Sequence, residues 1–138
     1  MPYEYRHPHR VRYRECDPMG VVYHTHYLDY FEAARTEALR NLGVSYRSLE
    51  ESGIIMPVTD VSVQYRRPAH YDDELEVAVQ FNEMPSVRVF IEYTVRRKDE
   101  DTVLVTGHTT LCFMDASRRR PTSPPEAVHA VFAEALSS

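Results

Sequence analysis

The chain has 138 residues and a formal net charge of −5, from 16 Lys and Arg against 21 Asp and Glu. That length makes one domain, residues 1–138, able to bury a core without disulfide staples. A hydrophobic content of 43% with 10 Tyr and 5 Phe excludes disorder, the acidic balance speaks against nucleic acid as a partner, and no apolar run nears the roughly 20 residues of a membrane span.

Met1 to His7 carry no apolar signal segment, and the two cysteines, Cys16 and Cys112, are too few for a disulfide framework. A cytoplasmic location is the expectation. Lys98 is the only lysine beside 15 arginines, a chain-wide bias that carries no functional weight. His7-Pro8-His9 reads as a solvated arm. His9 to Glu15 alternates around Val11 and Tyr13 and predicts a first strand. Asp17-Pro18-Met19-Gly20 then turns the chain, because Asp and Pro favour turns and Gly accepts positive φ.

A long helix follows. Tyr27, Phe31, Ala34, Ala38 and Leu42 lie on one stripe of a 3.6-residue period, and Gly43 is a stop signal. Glu32/Arg35 and Glu37/Arg40, at i, i+3, predict ion pairs on the opposite face. Ser45 to Glu51 predicts one more helical turn, ending near Gly53. From Met56 the period is two: Val61 to Arg66, Leu75 to Phe81, Val87 to Arg96 and Thr102 to Met114 each alternate as strands. Met84-Pro85-Ser86 and Asp99-Glu100-Asp101 are short enough to join antiparallel neighbours. Ser123, Pro124 and Glu126 predict a capping-box start to a final helix with Val128, Phe132, Ala135 and Leu136 on its stripe. The order of strand, long helix, four long strands and helix predicts an α+β fold, the helix lying against a curved antiparallel sheet.

The densest set of reactive side chains runs from Tyr13 through Glu15, Cys16, Asp17, Gly20, Val22, Tyr23, His24 and His26 to Tyr27, at the turn entering that helix. A helix start offers unpaired N–H groups and partial positive charge. A carbonyl aimed there is polarised, and a carboxylate just upstream can attack it or activate water. Each residue also has a plainer role. Asp17 before Pro18 can simply form the turn. Cys16 is expected to be a small buried thiol facing away from Asp17, since neighbouring strand residues point to opposite faces. His24, His26 and Asp29 could be metal ligands, but i, i+2 nitrogens converge poorly on a helix. Arg118-Arg119-Arg120 is either a solvated loop or an anchor for phosphates.

Tyr13-x-x-x-Asp17-x-x-Gly20-Val-Val-Tyr23-His24-x-x-Tyr27, running on to Phe31-Glu32-x-Ala34-Arg35, resembles the 4-hydroxybenzoyl-CoA thioesterase family of hotdog-fold proteins. It is most similar to the branch of small acyl-CoA thioesterases encoded beside the bacterial Tol-Pal system. Tyr65-x-x-Pro68 and Asp72-Asp73-x-Leu75 extend the likeness along most of the chain. The resemblance implies a hotdog fold and hydrolysis of an acyl-CoA thioester by water, with no metal or organic cofactor. It implies Asp17 as the catalytic nucleophile or base, with the amide of His24 or a neighbour as oxyanion donor. Tyr13 and the His24 ring would orient water or the carboxylate. Gly20, Val22, Tyr23 and Tyr27 would line the substrate site, and Arg118, Arg119 and Arg120 would meet coenzyme A. Tyr23-His24 departs from the hydroxybenzoyl-specific pattern and points to a short- or medium-chain acyl group. Family members pair edge to edge, so a homodimer or homotetramer is implied. Two other readings stand beside this one: a non-catalytic acyl-CoA-binding scaffold, and a metal-dependent hydrolase using His24, His26 and Asp29.

Overall fold

The computed structural model describes residues 2–137. In chain order its elements are β1 (Tyr3–Arg10), a 3-10 turn (Tyr13–Glu15), α1 (His26–Leu42), α2 (Tyr46–Glu51), β2 (Ile54–Ile55), β3 (Val58–Tyr65), β4 (Glu74–Phe81), β5 (Arg88–Arg97), β6 (Val103–Cys112), β7 (Met114–Asp115), β8 (Arg120–Pro121) and α3 (Glu126–Ser137). The long strands make one antiparallel sheet in the order β1-β4-β5-β6-β3, and β2, β7 and β8 form a small second sheet.

Alternation turns one face of the large sheet apolar. Leu75, Val77 and Val79 on β4 and Ile91, Tyr93 and Val95 on β5 are buried there, beneath the Tyr27, Phe31, Ala34 and Ala38 stripe of α1. The two alanines let the helix sit low, and the Phe31 ring stacks on Tyr93 with centroids 4.2 Å apart. Close approach continues onto β6, where a Cβ on Gly107 would meet the Phe31 ring at 2.6 Å. As expected, α1 stops at Gly43, whose φ of 99° is left-handed.

Four expectations are corrected. His7-Pro8-His9 is no arm: it lies in β1, where Tyr3, Tyr5, His7 and His9 turn inward and the chain pairs with β4 from Tyr3↔Phe81 to Arg10↔Glu74. Pro8 is tolerated because β1 is an edge. The strand predicted over His9 to Glu15 ends at Arg10, and Tyr13–Glu15 is a 3-10 turn. Arg35 does not pair with Glu32 at the surface. It lies one turn beyond Phe31 on the buried face, 8% exposed, and donates to the hydroxyls of Tyr46 (2.9 Å) and Tyr93 (3.3 Å). Finally, α3 starts at Glu126, and the Pro125 carbonyl, not Ser123, accepts its first bond, from His129 N–H. Pro125 bars Pro124 from helical geometry, so the helix cannot open sooner. The Glu37/Arg40 pair forms as expected, at 3.7 Å.

Candidate active site

After the 3-10 turn the chain makes a miniature hairpin. Cys16 bridges Val22, Asp17 N–H donates to the Val21 carbonyl, and Gly20 N–H donates to the Asp17 carbonyl, both at 2.9 Å. Gly20 has φ 81°, the left-handed turn expected of Asp-Pro-Met-Gly. Two anchors fix this hairpin. Val22 N–H donates to Ala69 and Val21 bridges His70, which ties it to the segment after β3. Tyr23 N–H donates to the Glu15 carbonyl at 2.9 Å, which closes its base.

The two oxygens of the Asp17 carboxylate differ in their surroundings. Oδ1 accepts from Met19 N–H (2.8 Å) and Val21 N–H (3.4 Å), holding the turn. Among the described residues, Oδ2 has no partner. The helix start is equally open: His26, Tyr27 and Leu28 N–H groups bond back three residues, whereas the His24 and Thr25 N–H groups meet no acceptor among the described residues. Tyr65, at the end of β3, donates its hydroxyl to the His24 carbonyl at 3.0 Å and so holds this turn in place.

Asp17, Val22, Tyr23, His24 and Tyr27 line one cavity of about 500 Å³, together with Met19, Tyr65, Arg66, Arg67 and Pro68. Its floor is aromatic. The His24 ring lies between Tyr23 (centroids 4.5 Å) and Tyr65 (6.1 Å), and burial pushes the Tyr27 phenol up to about 12, so it stays a neutral wall at physiological pH. Arg66 and Arg67 are the cations that sequence reasoning missed here. They follow β3 directly, where the alternation breaks at Arg-Arg-Pro, and that break is the available signal.

The other expected residues lie elsewhere. Tyr13, 80% exposed, packs edge-on against Tyr71 and lines a second hollow of about 370 Å³ with Cys16, Asp17, Pro18 and Gly20. Asp17 therefore stands on the ridge between two cavities, and Tyr13 is on the far side from His24. Cys16 is no part of the cavity that Asp17 shares with His24; it lines the second hollow with Asp17, half-buried and extended at the base of the hairpin. Partial burial and the Glu15, Asp17 and Asp73 carboxylates push its thiol up, away from the reactive thiolate. Arg118 and Arg119 lie between β7 and β8, Arg120 opens β8, and none of the three lines either of these two cavities. His26 Nδ1 is 3.5 Å from Asp29 Oδ2. No group of three or more metal-ligating side chains gathers among the described residues.

An antiparallel sheet laid on one long helix is the hotdog architecture. A Staphylococcus aureus DHNA-CoA thioesterase structure shares it, with a TM-score of 0.90 and 28% identity over 97% of this chain and 91% of that one. The thioesterase-like superfamily matches residues 11–132. The acyl-CoA thioester hydrolase YbgC of Escherichia coli is 33% identical over 129 residues, 93% of this chain and 95% of that protein. YneP of Bacillus subtilis is 43% identical over 63 residues, 46% of each chain. The chain belongs to the thioesterase-like superfamily and is by class a thioester hydrolase.

Proposed function

We propose that this protein hydrolyses acyl-CoA thioesters, with Asp17 as the catalytic carboxylate and the His24 N–H as oxyanion donor. The observation that carries this reading is that Asp17 and His24 line one cavity while Asp17 Oδ2 and the His24 N–H have no partner among the described residues. A thioester carbonyl oxygen directed at the His24 and Thr25 N–H groups gains stabilisation as charge develops on it. Asp17 then either attacks the carbonyl carbon, giving an aspartyl–acyl anhydride that water afterwards cleaves to release the acid and restore the carboxylate, or takes a proton from water while the hydroxyl adds to that carbon. The C–S bond breaks, and the thiolate of coenzyme A leaves and takes up a proton. This route uses no metal and no organic cofactor. The His24 ring, held between Tyr23 and Tyr65, orients the attacking water. A panel of acyl-CoA chain lengths, assayed with and without chelator, tests the reading. Hydrolysis favouring short or medium chains and indifferent to chelator is expected. A binding protein without turnover is the scaffold alternative, and chelator-sensitive turnover is the metal-dependent one.

Arg66 and Arg67, beside Asp17's cavity, suit the phosphates of coenzyme A better than Arg118–Arg120 does within one chain. Neutralising Arg66 and Arg67 together is expected to raise KM roughly tenfold and flatten its salt dependence at near-normal kcat, the pattern of lost uniform binding. The same change at Arg118–Arg120 moves KM only if a partner chain brings that loop to the cavity.

A homodimer through β3 completes the reading. This edge exposes Val58, Val61 and Tyr65 at 42%, 42% and 50%, beside Leu28 of α1 at 43%. The opposite edge, β1, is guarded by Glu4, Arg6 and Pro8, whereas β3 offers its backbone beside an apolar strip. Light scattering at micromolar concentration should give twice the mass of one chain or a higher even multiple. A fully active monomer would overturn this part.

A further inference from the structure

The most buried carboxylate of the molecule stands two residues before Asp17, and the chemistry proposed above does not use it. Glu15 is 8% exposed. Its Oε1 accepts three hydrogen bonds: from Arg12 N–H at 2.8 Å, from the Tyr30 hydroxyl at 2.8 Å, and with His9 Nε2 at 3.0 Å. These partners come from three different places. His9 is in β1, Arg12 precedes the 3-10 turn, and Tyr30 lies one turn into α1. The His9 and Tyr30 rings also lie against each other, with centroids 4.2 Å apart. Meanwhile the Glu15 carbonyl receives Tyr23 N–H at the base of the hairpin. One residue thus ties the sheet edge, the hairpin that carries Asp17 and the helix that follows the open amides.

We infer that Glu15 is a positioning residue for catalysis: its carboxylate fixes the Asp17 hairpin against β1 and α1, and so sets where the Asp17 carboxylate meets a carbonyl at the helix start. This inference rests on the catalytic reading of Asp17. Asp17 lies on the hairpin and His24 on the turn that follows it, and the hairpin's tip is exposed, with Met19 81% exposed. Hydrogen bonds internal to that hairpin hold its shape but not its placement on the helix. Geometry at a reacting centre must hold to a fraction of an ångström, and a displacement of about 1 Å can cost about 10²-fold in rate. A charged acceptor taking three bonds in a buried site is strong enough to supply that rigidity. Burial alone would push the Glu15 carboxyl up; the Arg12, His9 and Tyr30 hydrogen bonds outweigh it and hold it below the usual range, so it is ionised and fully engaged.

A double-mutant cycle separates positioning from plain stability. Steady-state kinetics of the full chain are measured for Glu15→Ala, Asp17→Asn and the double variant, at enzyme concentrations that resolve residual turnover, with thermal melts alongside. Glu15→Ala is expected to lower kcat at least about tenfold with KM within about twofold, and to cost nothing further once Asp17 is Asn, because a residue acting through another loses its effect with it. Glu15→Gln, whose amide oxygen still accepts from Arg12 and Tyr30, should recover most of kcat. Should Glu15→Ala not fold, Tyr30→Phe removes a single bond and should show the same cycle at about threefold. A normal kcat in these variants, or a loss that multiplies in the Asp17→Asn background, overturns the inference while leaving Asp17 catalytic. Asp17→Asn turning over at the normal rate instead removes the reading beneath it.

Discussion

Asp17→Asn should leave folding and acyl-CoA binding intact while kcat falls by at least about 10²-fold. The two carboxylate oxygens divide the work, which makes this substitution unusually clean. Oδ1 holds the turn by accepting from Met19 and Val21 N–H groups, and an Asn carbonyl accepts in the same way. Only the Oδ2 position changes, from a free carboxylate oxygen to an amide nitrogen that is neither base nor nucleophile. A melting temperature near wild type combined with lost turnover would therefore assign the chemistry to Oδ2. Cys16→Ala, measured beside it, should keep most of the activity, since the thiol is pushed away from its nucleophilic form. If Asp17→Asn works at the normal rate, or if Cys16→Ala abolishes turnover in a folded protein, another residue performs the attack.

The contrast between those two neighbours shows what local sequence carries and what it does not. The turn at Asp-Pro-Met-Gly and the helix beginning near His26 are both local facts, written in residue types that favour positive φ or a 3.6-residue stripe. Both are present where the pattern puts them. The strand expected up to Glu15 is not, because hydrogen bonds outside any strand ladder decide there: Glu15 turns its carboxylate back to His9 and Arg12 and across to Tyr30 of α1, and a 3-10 turn results. Tyr13 and Cys16 then line Asp17's second hollow and not the cavity that holds His24. Arg35 was misread for a related reason. A charged residue at i, i+3 from an acid looks solvated, yet tyrosine hydroxyls from α2 and β5 receive it in the core. Arg66 and Arg67 reach the cavity only because Val22 pairs with Ala69, 47 positions along the chain. No period or motif within a window of a few residues contains that pairing.

Gly107→Ala should be the most damaging small substitution for stability, costing about 1–3 kcal/mol as an overpacked site. Gly107 sits mid-strand in β6, opposite Val63 on β3 and Tyr93 on β5, where glycine weakens a sheet unless something needs the space. Here α1 needs it. The added methyl would stand 2.6 Å from one carbon of the Phe31 ring, 2.9 Å from the next, and 2.8 Å from the Ser62 carbonyl oxygen. The backbone oxygen cannot rotate away, and the ring is fully buried and stacked on Tyr93 at 4.2 Å. Relief must come from lifting α1 off the sheet, which opens Ala34 and Ala38 as well. Because Phe31 follows Tyr27 by one turn, the same lift displaces the helix start that presents the His24 N–H. Urea denaturation should show a lower midpoint with an unchanged slope, accompanied by a smaller loss of kcat than Asp17→Asn causes. An unchanged midpoint would mean that the sheet, and not the helix, absorbs the methyl.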